Sequence, residues 1–499
     1  MQLSESGIKE NITELKAKGY ELPEYDRDLL RENTKSNPEW VHFGAGNIAR
    51  AYIADIADKL IKSDDLKSGL ILCGEFDKQL VEGIYRSHDE LIINVTLCAD
   101  GSMKKQIIGS IAEADVLDKD GDMERLMEIF ASPSLKFASF TITEKGYRTS
   151  SADEKGFMWK VTALLYNRYK NGALPIAFVS MDNCSHNGDK LKEAVLFYAK
   201  TFDDAGFIEY INDPSKVSFP WSMIDKITPG PDESVASMLK DDGFEDLKEV
   251  RTARGSRIAP FVNAEETGYL VIEDTFPNGR PPLEKAGVVL CDKETVDKTE
   301  KMKVCTCLNP LHTALAIFGC LFDHEYIHDE MEDEDLVRLV NTLGYEEGLP
   351  VVIDPGVISP RDFLDAVVRL RLPNPFLPDS PKRIATDTSQ KIPIRFGHTV
   401  ASWRERGRDA GELKAVPLVF AAYIQYLKGV NDKDESFELS PDPLLEELKA
   451  LSPQELLKRR DVFNSDLFAD GLGDRVLALY EEMSKGVGAV RKTLRETLV

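Results

Sequence analysis

The sequence is poor in the features that mark secreted, membrane-spanning or nucleic-acid-binding chains. Its 499 residues hold only 7 cysteines, an odd number scattered along the chain, which argues against a disulfide framework and for a reducing, cytoplasmic setting. Positive charge is short: 62 Lys and Arg face 86 Asp and Glu, a net charge of −24 that repels phosphate backbones and anionic lipid. No uninterrupted apolar run approaches the ~18–20 residues of a membrane span, and residues 314–322 are short enough for a core helix. The amino terminus carries Glu5, Lys9, Glu10, Glu14 and Lys16 and lacks the apolar centre of a secretory signal. A Walker A loop, a G-x-S-x-G elbow and a basic-aromatic stripe are also missing. What remains is a globular composition, 42% hydrophobic and 8% aromatic. The expectation is a small-molecule enzyme without nucleic-acid or membrane partners.

The first half carries the order strand, glycine turn, helix. Residues 39–43 read as a buried strand, run into Gly44-Ala45-Gly46, and are followed by helical spacing of Ala51, Ile53, Ile56, Ala57 and Ile61. Glycines at 44 and 46 allow a sharp turn and let a pyrophosphate approach N–H groups at a helix start. Ala49 stands in the place of the fingerprint's third glycine. The next strand, residues 69–73, ends near Glu75 and Asp77. Either acid could accept hydrogen bonds from a ribose 2′-hydroxyl and repel a 2′-phosphate, which favours NAD over NADP; Glu75 lies nearer the strand end.

Further strand-like runs at residues 91–97, 137–143 and 174–180 alternate with helical stretches, as in a mostly parallel, doubly wound α/β sheet. Past about Thr295 long helical patterns take over, at residues 304–321, 335–344, 360–370, 416–426 and 474–498. The expected organisation is a Rossmann-like domain over residues 1–290 and a mainly helical substrate domain over residues 291–499.

The glycine turn is one of several separated segments that resemble, in order, those of the long-chain mannitol dehydrogenase family. The others are residues 141–147 (TITEKGY), 180–188 (SMDNCSHNG), 219–229 (FPWSMIDKITP), 271–281 (VIEDTFPNGRP), 308–316 (LNPLHTALA) and 383–393 (RIATDTSQKIP). The resemblance implies metal-independent hydride exchange between a nicotinamide cofactor and C2 of a sugar or sugar acid. It implies a catalytic lysine, asparagine and histidine at Lys303, Asn309 and His312, with Asn183 as a second carboxamide and Glu300 near the lysine. Asp225, Arg383 and Lys391 resemble substrate-site residues, and Asn47, Ile48 and Arg50 join the two glycines around the cofactor. The family places its lysine five residues before the asparagine, whereas Lys303 is six before it. The match therefore needs a bulge or an irregular helix start, and Lys301 competes for the role.

These residue types suit the chemistry. Reducing a ketone puts negative charge on oxygen, so a site must supply a proton and donors aimed at that oxygen. A lysine whose pKa burial has lowered can give and take the proton, and a carboxamide NH₂ donates without titrating. Within the family, residues 141–147 look unlike the tagaturonate branch and residues 386–395 resemble fructuronate reductases, with Arg395 a cation for a C6 carboxylate. Fructuronate reductase is the expected activity, on a small sugar acid or polyol, in a monomer or small homo-oligomer. Mannitol or arabinitol dehydrogenase and tagaturonate reductase are the alternatives, and a nucleotide-binding regulator without catalysis is the alternative of another class.

Two metal-like patterns remain. His324-Glu325-Tyr326-Ile327-His328 fits H-E-x-x-H, which holds zinc only when both histidines share a helix face. Here it falls in an acidic stretch past the end of an apolar helix, so no metal is expected. Cys305 and Cys307, two apart on a helix, point in different directions and read as buried thiols.

Overall fold

Strands that are largely buried build one parallel sheet. They are β1 (Trp40–Phe43), β2 (Leu70–Gly74), β3 (Ile111–Val116), β4 (Phe137–Phe140), β5 (Ile176–Ser180) and β6 (Val217–Ser218). Across the sheet they run β3-β2-β1-β4-β5-β6, and every pairing is parallel. The strand order reverses between β1 and β4, the place where an open α/β sheet leaves a ligand crevice. Trp40, Leu72, Phe137 and Val179 face one core; Val41, Ile71, Ala138 and Phe178 face the other. Burial on both sides explains the continuous apolar runs in the sequence. The computed structural model describes residues 1–74, 78–150, 156–251, 255 and 257–499. Glu75 and Asp77 lie outside the described residues.

One expected strand changes partners. Ile92–Leu97 does not join the parallel sheet; it pairs antiparallel with Met103–Ile108 and parallel with Phe261–Glu265, with Tyr20–Glu21 at the edge. The short connection to Met103 closes a hairpin, and only an antiparallel partner is reachable through so short a loop. Ser222–Asp225, Tyr269–Glu273 and Val289–Cys291 form a third, small sheet.

The chain divides into two units, Met1–Cys98 with Ser102–Asp297 and Ala99–Gly101 with Lys298–Val499. Helices build the second. The helical run Lys293–Phe322 does contain an 18-residue window apolar enough to cross a bilayer, which the search for an uninterrupted run missed, but 83% of that window is buried inside the protein. It is a core helix. The run expected over residues 474–498 is broken into Gly473–Met483 and Ala489–Thr497, because Gly486 (φ 117°) and Gly488 (φ 76°) take conformations that end helices. π-Helical turns interrupt this unit at Met302–Cys307, Thr342–Gly348, Val367–Arg371 and Pro393–Gly397.

Candidate active site

In the sheet unit the chemistry gathers at the carboxyl ends of β1, β4 and β5. Gly44 has φ +120°, and a Cβ there would lie 2.3 Å from the Thr141 carbonyl oxygen, so the turn after β1 accepts no other residue without strain. A buried polar row fixes that approach. The Ser139 hydroxyl meets Trp40 Nε1 and His42 Nδ1, both at 2.7 Å, and His42 Nε2 lies 2.8 Å from the Thr141 hydroxyl. Burial holds the His42 pKa down to about 3, so the ring stays neutral. Beyond it, a Cβ on Gly46 would meet nothing within 4 Å. The tight turn, the open space at Gly46 and the helix that follows fit a dinucleotide pyrophosphate.

The other cofactor candidates separate. Asn47 and Ile48 are half-buried beside the turn, and the Asn47 amide reaches the Pro229 carbonyl only at 3.5 Å. Arg50 is held inside the fold. Its side chain is fully buried, donates to the Ala259 carbonyl at 2.6 Å and lies 6.0 Å from the Tyr85 ring. It sits in the π-helical turn Ala49–Ile53, and its Nη1 lies 3.5 Å from the carboxamide oxygen of Asn47 beside the glycine turn.

Two segments singled out in the sequence, 141–147 and 180–188, prove to be one hydrogen-bonded unit. The Asp182 carboxylate accepts from the Ile142 N–H at 3.1 Å, the Thr143 N–H at 2.7 Å and the Tyr147 hydroxyl at 2.5 Å. Asn187, fully buried, donates to the Ser180, Asp182 and Ser222 carbonyls at 3.2, 3.0 and 3.0 Å, and its own carbonyl accepts from the Ser222 N–H at 3.0 Å. That ties the end of β5 to the strand ending in Asp225, which is buried, while Asn183 projects from the intervening loop and is exposed. The sequence reading missed Asp182 and Asn187 although both lie inside a quoted segment; a motif does not say which of its polar residues turn inward.

In the helical unit the candidate residues surround the start of α1 (Asn309–Phe322). Lys303 lies in the π-helical turn Met302–Cys307, where its carbonyl accepts from the Leu308 N–H at 3.1 Å, five residues on. Such a turn inserts one extra residue, the number by which the Lys303-to-Asn309 spacing exceeds the family pattern. Lys303 is buried at 3% exposure, whereas Lys301 is exposed.

Arg395, from the π-helical turn Pro393–Gly397, donates to the Asn309 carbonyl at 3.3 Å and to the Thr313 hydroxyl. His312 lies 3.5 Å from Asp379, whose other carboxylate oxygen pairs with the largely exposed Arg383. Burial lowers the His312 pKa to about 4; Asp379 opposes this, while Arg395, Arg383 and Arg371 reinforce it. The imidazole is therefore neutral near pH 7, and its approach to Asp379 is a polar contact rather than an ion pair. Lys391 donates to the Ile384 carbonyl at 2.8 Å, and burial with Arg395 nearby lowers its pKa to about 8. Arg371, buried at the end of another π-helical turn, and Asp379 were not anticipated; neither falls in a segment that drew notice.

The H-E-x-x-H pattern lacks its helix. Asp323, at φ 63°, ends α1, and the next helix, Ile327–Glu330, begins after His324 and Glu325. The two histidines therefore do not share a helix face.

Comparison with known proteins places these features in one family. Residues 38–285 match the Mannitol dehydrogenase Rossmann domain and residues 295–484 the Mannitol dehydrogenase C-terminal domain. The D-mannonate oxidoreductase of Thermotoga maritima is 45% identical, over 100% of this chain and 99% of that protein. A D-sorbitol dehydrogenase solved in substrate-free form is 26% identical with a TM-score of 0.81, covering 98% of this chain and 100% of its own. The mannitol 2-dehydrogenase of Pseudomonas fluorescens, solved as a ternary complex with NAD and D-mannitol, is 26% identical with a TM-score of 0.71, covering 100% and 99%. With both halves matched and a relative this similar over its full length, the chain belongs to the mannitol dehydrogenase family.

Proposed function

We propose that this chain is a NAD-dependent, metal-independent oxidoreductase that interconverts D-fructuronate and D-mannonate at C2. The observation that carries the choice of substrate is Arg395, a half-buried guanidinium bonded to the Asn309 carbonyl and the Thr313 hydroxyl at the start of α1, with Arg383 on the carboxylate that faces His312. In a chain of net charge −24 such a local excess of cations has a use if the substrate is an anion. The full-length relative named D-mannonate oxidoreductase supports the same reading.

Bound NAD would accept the hydride in one direction and NADH return it in the other. The protein's share is proton movement and placement. Lys303, buried at the start of the catalytic segment, gives a proton to the forming alkoxide during reduction and takes it back during oxidation. Asn309 donates a carboxamide hydrogen bond to that oxygen, and Asn183 is assigned as the second such donor. His312, neutral in the working range, orients by hydrogen bonding without adding charge. Arg395 meets the substrate carboxylate, Lys391 and Arg383 extend the same positive field, and Asp225 fixes the end of its strand. Gly44, Gly46, Asn47 and Ile48 line the cofactor turn, with Glu75 or Asp77 on the ribose.

Following NADH absorbance with fructuronate, tagaturonate and fructose in turn tests the assignment. A charge-assisted hydrogen bond worth about 1.5–3 kcal/mol makes kcat/KM for fructuronate about 10–100-fold above that for fructose. Preference for fructose would make the chain a polyol dehydrogenase, preference for tagaturonate would reassign the branch, and inactivity with all three would favour the regulator.

A further inference from the structure

The sheet unit holds a second polar cavity that none of the proposed chemistry uses. It has a volume of about 690 Å³ and is lined by Tyr52 and Asp55, by the strand pair Ile92–Leu97 and Met103–Ile108, and by Lys226. Cross-strand partners Asn94 and Gln106, and Thr96 and Lys104, stand on one face of that pair. On the opposite face Ile93, Val95 and Leu97 are fully buried. The alternation is that of a sheet with one apolar face in a core. Its other face meets a cavity through an amide, a hydroxyl, an ammonium and a second amide.

One group there is built for a ligand. Asn94 is only 5% exposed, its NH₂ reaches the Ala51 carbonyl at 3.4 Å, and its carbonyl oxygen has no hydrogen-bond partner. A buried acceptor left without a donor is costly, and Asn94 is one of the residues that line this cavity. The rim sets the charge of the visitor. Five lysines stand against three carboxylates, a positive balance in a strongly negative protein. Several of these lysines are already engaged, Lys59 with Asp55 and Lys105 with Asp242, both at 2.8 Å, and Lys226 with the Glu265 carbonyl at 2.7 Å. Lys104 makes no ion pair among the described residues. Asp55 and Glu266 at the same rim would repel a dianion such as phosphate but accept hydrogen bonds from hydroxyl groups.

We propose that this cavity is a second binding site for a small polyhydroxylated monocarboxylate, with a ligand hydroxyl donating to Asn94 Oδ1 and the carboxylate meeting Lys104. The class overlaps that of the proposed substrate, so the test must separate the two sites. Calorimetric titration of the full-length chain with D-gluconate does so in wild type, Arg395→Ala, Asn94→Leu and Lys104→Glu. The expected result is binding that survives Arg395→Ala within about twofold and weakens about tenfold or more in Asn94→Leu and Lys104→Glu, the loss of a single charge-assisted hydrogen bond. Turnover of D-mannonate should be unchanged in the last two. Lys104 is exposed, so its variant reads the site even if Asn94→Leu folds poorly. Binding lost in Arg395→Ala but intact in Lys104→Glu would overturn the proposal, as would absence of binding, or inorganic phosphate displacing gluconate at equal concentration. None of these results bears on which sugar acid the enzyme turns over.

Discussion

The two units offer a negative charge different kinds of candidate site. In the sheet unit the candidate anion site is backbone: Gly44 at φ +120°, space over Gly46, and a neutral row of His42, Ser139 and Thr141 behind them. In the helical unit it is side-chain charge: Arg395 bonded to the carbonyl of Asn309, and Arg371 and Arg383 near enough to affect His312. A backbone site fails when a side chain is added. A charged site fails when a side chain is removed, and it responds to pH. Four perturbations, in descending order of expected effect, separate these behaviours.

The largest effect belongs to the proton donor. Lys303→Ala should lower turnover about 10²–10⁴-fold, the range of general acid–base catalysis, with NADH still binding. Lys301→Ala, at an exposed position, should leave turnover near wild type. The reverse pattern in steady-state rates would move the role to Lys301. Next comes Gly44→Ala, which places a methyl against the Thr141 carbonyl in a conformation that costs about 1–3 kcal/mol. NADH affinity, read by fluorescence titration, should fall about tenfold or more. Unchanged affinity would mean that the turn does not bind the cofactor.

The same contrast explains what the sequence could tell. Glycine conformation and continuous apolar strands are written locally, so four strands of the parallel sheet and the turn at Gly44 and Gly46 were legible, whereas Ile111–Val116, interrupted by Glu113 and Asp115, and the two-residue Val217–Ser218 were not. Ile92–Leu97 was legible as a strand, but its sheet was not, because the polar KKQ of its hairpin partner hides the pairing. In the helical unit three of the charged side chains ride on π-helical turns: Lys303 on Met302–Cys307, Arg371 on Val367–Arg371 and Arg395 on Pro393–Gly397. A search at 3.6 residues per turn reads straight through such turns and misplaces the faces beyond them. The six-residue gap from Lys303 to Asn309 looked like a mismatch for that reason. Asp379 stayed hidden because it acts from a loop, where no periodicity marks it.

Arg395→Ala sharpens the comparison from the charged side. Removing one guanidinium should raise KM for D-mannonate about 10–100-fold, with a smaller change in kcat, if it contributes a charge-assisted hydrogen bond of about 1.5–3 kcal/mol to the anion. NADH affinity should not move, since the cofactor turn is backbone in the other unit. A parallel loss of NADH affinity would show that the two functions are not divided in this way.

The smallest effect is a titration. Burial and the neighbouring Arg395 lower the Lys391 pKa to about 8, with Asp387 partly opposing them. Below that value the side chain is a cation and helps hold a carboxylate; above it the amine is neutral and the help is lost. KM for D-mannonate should therefore rise a few-fold between about pH 7 and pH 9, where a surface pair contributes up to about 1 kcal/mol. His312, with its pKa near 4, is neutral throughout this window and adds no slope, and Arg395, lowered only to about 10, keeps its charge. Lys391→Arg replaces the titrating group with one that stays protonated, so the slope should flatten while KM at pH 7 changes little. NADH affinity over the same range supplies the internal control, because the candidate cofactor turn at Gly44 and Gly46 is backbone. A KM that rises equally in Lys391→Arg would place the titrating group elsewhere and remove Lys391 from the substrate's field.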